Sequence, residues 1–154
     1  MITTQSIETK RFGQIEFGTE DVVAFPEGII GFPECRQFLI LQHKEGSPFR
    51  WLQSLDDTDV AFLVVEPTHY VPNYEFKIHE GVVSNLALSD ETPYLVYTVV
   101  TIPKGNPEGM TLNLAGPIVI NGENQKAKQL VLDDPRWPLK YPVVPPGTPQ
   151  AQAA

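Results

Sequence analysis

Met110-Thr111-Leu112-Asn113-Leu114-Ala115-Gly116-Pro117-Ile118-Val119-Ile120-Asn121-Gly122, running on to Gln129-Leu130-Val131-Leu132, is the stretch whose reading decides the fold. Met110, Leu112 and Leu114 alternate with Thr111 and Asn113, the period of a strand with one buried face. Ile118-Val119-Ile120 follows Gly116-Pro117, and Asn121-Gly122 then supplies the positive φ that a tight strand reversal needs. Gln129 to Leu132 reads as the return strand, with Leu130 and Leu132 on one face and Gln129 and Val131 on the other. Two or three antiparallel strands thus close a sheet whose remainder must come from earlier in the chain.

Working back, Tyr94 to Ile102 (YLVYTVVTI) is rich in β-branched and aromatic residues and reads as a strand. Val60 to Val65 is apolar on both faces, as a central strand would be. Phe49 to Leu55, Phe38 to Leu41 and Val22 to Phe25 are further strands, and Ser6 to Phe17 is a hairpin turning near Phe12-Gly13-Gln14. Phe25 to Pro33 carries two glycines and two prolines, which excludes a regular element, yet its apolar residues predict a packed loop. Pro33 to Arg36 fits one helical turn. His79 to Leu88 predicts a short helix, because Val82, Val83 and Leu86 fall at helical spacing. The expected architecture is mainly β, a single-domain antiparallel barrel-like fold over residues 1–142 with one or two short helices. The uncharged, proline-rich residues 143–154 are expected to be a disordered tail.

The 154 residues carry 19 acids and 11 bases, a formal charge of −8. The excess lies in the first two thirds; residues 111–154 are close to neutral. Direct nucleic-acid binding is disfavoured, since it rests on Lys and Arg neutralising phosphates. A basic protein partner suits the charge, and so does plain solubility. One cysteine, Cys35, excludes a disulfide framework. The opening MITTQSIETKRF lacks a secretory h-region, and no apolar run suffices for a membrane helix. A cytoplasmic protein is expected.

Chemistry-bearing motifs are absent: there is no phosphate loop, HExxH, CxxC or GxSxG. His43, His69 and His79 each lie beside a presumed turn or strand end and read as surface residues. Asp56-Asp57-Thr58-Asp59 looks like a calcium loop but lacks the central Gly and the closing Glu, so it reads as an acidic turn. Arg36 beside Cys35 favours a thiolate, but no base is identifiable, and a hydrolase built on Cys35 stays a minor rival. Neither catalysis nor a cofactor or metal is expected. Tyr70-Val71-Pro72, Tyr74 and Phe76 form an aromatic, proline-rich cluster that suits either a contact surface or a cap on the barrel's open end. An edge strand is a second kind of contact site.

The ordered set Phe25-Pro26-Glu27-Gly28-Ile29, Gly31-Phe32, Pro48 to Ser54, Ala61-Phe62, Thr101-Ile102-Pro103, Met110 to Asn121 and Gln129 to Leu132 resembles the flagellar assembly factor FliW family from about Ile7 to Pro142. The resemblance implies a non-enzymatic regulator that binds flagellin and the translational repressor CsrA, relieving repression of flagellin mRNA; a monomer is expected. On that resemblance, partner contacts are expected at Tyr70, Val71, Tyr74 and Phe76, and at Val119, Asn121, Val131 and Asp133. A small-molecule-binding β-barrel is the alternative, and a closed apolar pocket would mark it.

Overall fold

Tyr94–Thr101, the β-branched run, pairs with three other strands, and the sheet is laid out around it. The structure, a computed structural model, describes residues 4–42 and 44–143. Its strands are β1 (Thr4–Thr9), β2 (Gly13–Gly18), β3 (Val22–Ala24), β4 (Gln37–Gln42), β5 (Phe49–Ser54) and β6 (Ala61–Val65). After the helix α1 (Glu80–Asn85) come β7 (Tyr94–Thr101), β8 (Thr111–Leu112), β9 (Ile118–Asn121), β10 (Ala127–Gln129) and β11 (Tyr141–Pro142). His43 and the proline-rich tail beyond Val143 lie outside the described residues.

The main path runs β10-β9-β7-β6-β5-β4-β3, with every pair along it antiparallel and β6 at its centre. β8 and β11 extend it beside the end of β7, while β1 and β2 form a separate hairpin. The two ends of the path touch. Ala24 and Lys126 form a single parallel bridge, and the Ala24 N–H donates to the Gln125 carbonyl at 2.9 Å. The sheet has curled into the barrel-like body that alternating strands of this length favour.

Side chains fill the interior. Phe25, Phe38, Leu52, Val64 and Ile118 form one buried cluster, with the Phe25 and Phe38 rings edge-to-face at 5.1 Å. Each such side chain stabilises the fold by roughly 1.5–3 kcal/mol through burial. Tyr74, Met110, Leu112, Leu114 and Trp137 make a second cluster, and Leu86, Val119 and Leu130 a third under α1.

The loop from Phe25 to Pro33 is packed, as its apolar content predicts: Phe25 and Ile29 are buried, and Phe32 and Ile29 exchange backbone hydrogen bonds. Gly28 makes it possible. Its φ is +71°, and a Cβ there would lie 2.7 Å from the Phe32 carbonyl oxygen. Pro33 to Arg36, in contrast, forms a turn without helix. The Asp56 carboxylate accepts from the backbone N–H groups of Arg36 and Gln37, both at 2.7 Å, and draws the chain straight into β4. That contact gives the acidic turn a structural job.

The helix expected over His79 to Leu88 is α1. Ala87, at φ +56°, ends it, and the Leu88 N–H returns to the Val83 carbonyl at 2.9 Å. The reversal after β9 differs from expectation. Asn121-Gly122 is not a two-residue turn; the connection runs to Lys126, and its positive φ belongs to Gln125. Gly122 is needed for another reason: its N–H donates to the Pro93 carbonyl at 2.8 Å, and a Cβ would stand 2.9 Å from that oxygen. The return strand accordingly begins early, at Ala127, and the alternation Met110 to Leu114 yields only the two residues of β8. Among the described residues no helix is long and apolar enough to cross a membrane.

Candidate partner-binding surface

β10 is the outermost strand of the path, and its continuation builds the surface. The ladder carries on past Gln129, because the Leu130 N–H reaches the Pro117 carbonyl and the Leu132 N–H the Ala115 carbonyl, both at 2.8 Å. Alternation then turns Leu130 inward onto α1 and leaves Val131 78% exposed. Gln129 is buried and clasps two segments: its Nε2 donates to the Gly116 carbonyl at 3.1 Å, and its Oε1 accepts from the Ile30 N–H at 3.0 Å. A Lys128–Glu27 ion pair fastens the same loop from outside.

Between that loop, α1 and the strand lies a groove of about 520 Å³, with Ile30, Val82, Leu130 and Val131 among its apolar walls. It shares Lys77, His79, Val131 and Leu132 with a second groove of about 590 Å³, whose rim is polar: Glu75, Asp133, Asp134 and Arg136. Arg136 pairs with Asp134 at 2.8 Å and lies 3.9 Å from Glu75. The guanidinium holds the Asp134 carboxyl below the usual carboxylate range, so it stays charged at neutral pH. Asp133 is exposed beside them.

The aromatic cluster divides. Val71 and Tyr74 are buried, at 3% and 7% exposure. The Tyr74 hydroxyl donates to the Leu114 carbonyl at 2.7 Å and its ring stands edge-on to Trp137 at 4.9 Å; burial pushes its pKa well up. Tyr70 and Phe76 are half-buried, and the Tyr70 hydroxyl is a buried polar group without a partner among the described residues. In the hairpin, Val119 and Asn121 are buried at 0% and 1%. Four expected contact residues, Val71, Tyr74, Val119 and Asn121, therefore have no side-chain surface to offer; they shape the scaffold. Tyr70, Phe76, Val131 and Asp133 keep some surface, and the last two adjoin at the grooves.

The sequence reading missed Ile30, 59% exposed, and the Tyr94-Leu95 pair, 50% and 41% exposed, which lines a smaller groove with Glu66 and Glu75. The signal for Ile30 was present: an apolar residue one step before Gly31, at φ +91°, sits at a loop tip. The surface holds no metal-ligand constellation: among the described residues no three His, Cys, Asp or Glu side chains gather. Cys35 is fully buried, and desolvation pushes its thiol pKa up, the reverse of what an activated nucleophile needs.

Comparison with known proteins fits this architecture. The family model described as FliW protein matches residues 5–143. The chain belongs to the FliW family. It is 44% identical to the flagellar assembly factor FliW of Thermoanaerobacter pseudethanolicus, over 90% of this chain and 92% of the relative. It is 41% identical to the FliW of Magnetococcus marinus, over 86% and 83%. A crystal structure of the flagellar assembly factor FliW superposes with a TM-score of 0.83 at 33% identity, covering 94% of this chain and all of the other. The mainly antiparallel fold is thus that of a solved FliW.

Proposed function

We propose that this protein is a cytoplasmic flagellar assembly factor that works by contact: it binds flagellin, and it binds CsrA so as to relieve repression of flagellin mRNA. Membership of the FliW family over nearly the whole chain is the observation that carries the reading. The physical account comes from charge. A protein of −8 docked on a small basic regulator adds negative potential where RNA phosphates must approach. Charges within about one Debye length, ~8 Å at physiological salt, are sufficient for that effect. RNA is then released without its binding face being covered. Tyr70, Phe76, Val131 and Asp133 are the residues proposed to meet a partner. The protein acts as a monomer and uses no cofactor.

The alternative of a small-molecule barrel is less well supported, because Phe25, Phe38, Leu52, Val64 and Ile118 occupy the interior where a ligand would sit. The test is to titrate the protein into a CsrA–RNA complex at rising salt, alongside direct binding to CsrA and to flagellin. Release that weakens as salt rises is expected; unchanged potency under strong screening overturns the field mechanism, and failure to bind either protein overturns the function.

A further inference from the structure

Leu130 and Leu132 turn their N–H groups toward the strand at Ala115 and Pro117, so the backbone of Val131 between them faces the opposite way, off the edge of the sheet. Neither its N–H nor its C=O has a partner among the described residues. Further back along this edge the backbone is covered, by the Ala24–Lys126 bridge and by the loop that Gln129 holds through Ile30. The uncovered part therefore begins at Val131. A bare donor and acceptor on one extended residue are the complement of another extended backbone, which would exchange both hydrogen bonds with it. Edges of this kind are usually blunted by a charged residue, a proline or a bulge. Here the residue is valine, the most exposed of the large apolar side chains among the described residues, with Ile30 beside it in the groove.

Charge indicates which partner fits. Asp133, two residues on and hence on the same edge, is exposed and makes no ion pair among the described residues. Glu75 and Asp134 share one arginine beside it, and Lys128 is held by Glu27. With Lys77 counted, the acids lining the two grooves (Glu27, Glu75, Asp133, Asp134) still exceed the bases (Lys77, Lys128, Arg136) by one, within a molecule of −8. A basic segment is attracted there, and an acidic one repelled.

We infer that the edge at Val131 accepts an extended segment of a basic protein as an added strand, with an apolar side chain of that segment beside Ile30 and a basic one toward Asp133. This deepens the protein-binding reading above and rests on it; CsrA, the basic partner in that reading, is the probe.

The test uses the full chain. Val131→Pro removes the N–H and obstructs the edge while sparing the bonds of Leu130 and Leu132. It is expected to weaken CsrA binding at least about tenfold, as loss of two backbone hydrogen bonds would. In the unmodified protein the Val131 amide should exchange rapidly with solvent when free and become at least about tenfold protected when CsrA is bound, a readout independent of any variant's folding. Val131→Pro that unfolds as the parent does and binds CsrA with parental affinity overturns the inference, as does an amide that stays unprotected. So does Val131→Pro that abolishes self-association or flagellin binding while leaving CsrA binding intact, since another copy or another partner then occupies the edge. If the parent protein does not bind CsrA at all, it is the functional reading that has failed.

Discussion

The Asn121 side chain donates from Nδ2 to the Leu86 carbonyl at 2.6 Å, tying the end of β9 to the end of α1 across the third core cluster. Its Oδ1 meanwhile accepts from the N–H groups of Glu123 and Asn124 at 2.7 and 3.2 Å, which opens the wide connection to β10. One buried amide thus shapes a loop and anchors a helix. Asn121→Ala leaves the Leu86 carbonyl with only the longer bond from Asn124 Nδ2 at 3.3 Å, takes the acceptor from two turn amides, and is expected to destabilise the protein by about 2–4 kcal/mol. Chemical denaturation measures it; a loss below about 1 kcal/mol would show that water replaces the amide freely.

Tyr74→Phe separates packing from hydrogen bonding in the aromatic cluster. The ring keeps its contact with Trp137, while the buried Leu114 carbonyl loses its donor. A cost of about 1–2 kcal/mol is expected, with partner affinities unchanged because the side chain has almost no surface. A variant as stable as the parent but deficient in binding would return Tyr74 to the contact surface.

Gly28→Ala forces a left-handed residue against the Phe32 carbonyl and Pro33 backbone, which have no flexible end to move aside. Loss of more than about 2 kcal/mol is expected, from φ strain and overlap together. Gly31→Ala serves as the control, since its Cβ meets nothing within 4 Å and only the φ penalty applies. Equal effects of the two substitutions would mean the loop shifts as a body.

Cys35 should resist thiol reagents in the native protein and react freely once urea unfolds it, because it is fully buried with a raised pKa. Rapid native labelling would reopen a nucleophilic role. The same burial has a sign in the pH profile. Cys35 and Tyr74 both have pKa values raised above their ordinary 9.0 and 10.0 by desolvation. Folding therefore favours their neutral forms. Their contribution is whole below pH 9 and is lost as pH climbs past the unfolded values toward the raised folded ones. Thermal unfolding from pH 7 to 11 should show stability falling on the alkaline side, less steeply for Tyr74→Phe.

What the chain revealed in advance, and what it withheld, follows from the range of the forces involved. β7 and β6 were legible because period and β-branching are properties of a few adjacent residues. The packed glycine-proline loop was legible for the same reason. Asn121-Gly122 misled because its local turn chemistry is real, yet Leu86 and Pro93, more than twenty residues upstream, claim both residues. The cluster from Tyr70 to Phe76 divided between core and surface on the position of Trp137, sixty residues downstream, whose Nε1 donates to the Glu75 carbonyl at 3.0 Å. Aromatic content alone does not distinguish a cap from a contact. Val131 and Asp133 were among the contacts expected from the sequence, whereas Ile30 needed the fold to set it beside Val131.

The join at Ala24 and Lys126 unites segments about a hundred residues apart, and such distant pairings are among the last to form as a chain folds. During synthesis β3 must wait, its flank bare, until Lys126 has left the ribosome. Any frameshift or cleavage upstream of Lys126 would strand that flank permanently and present the cell with a sticky half-sleeve instead of a finished one.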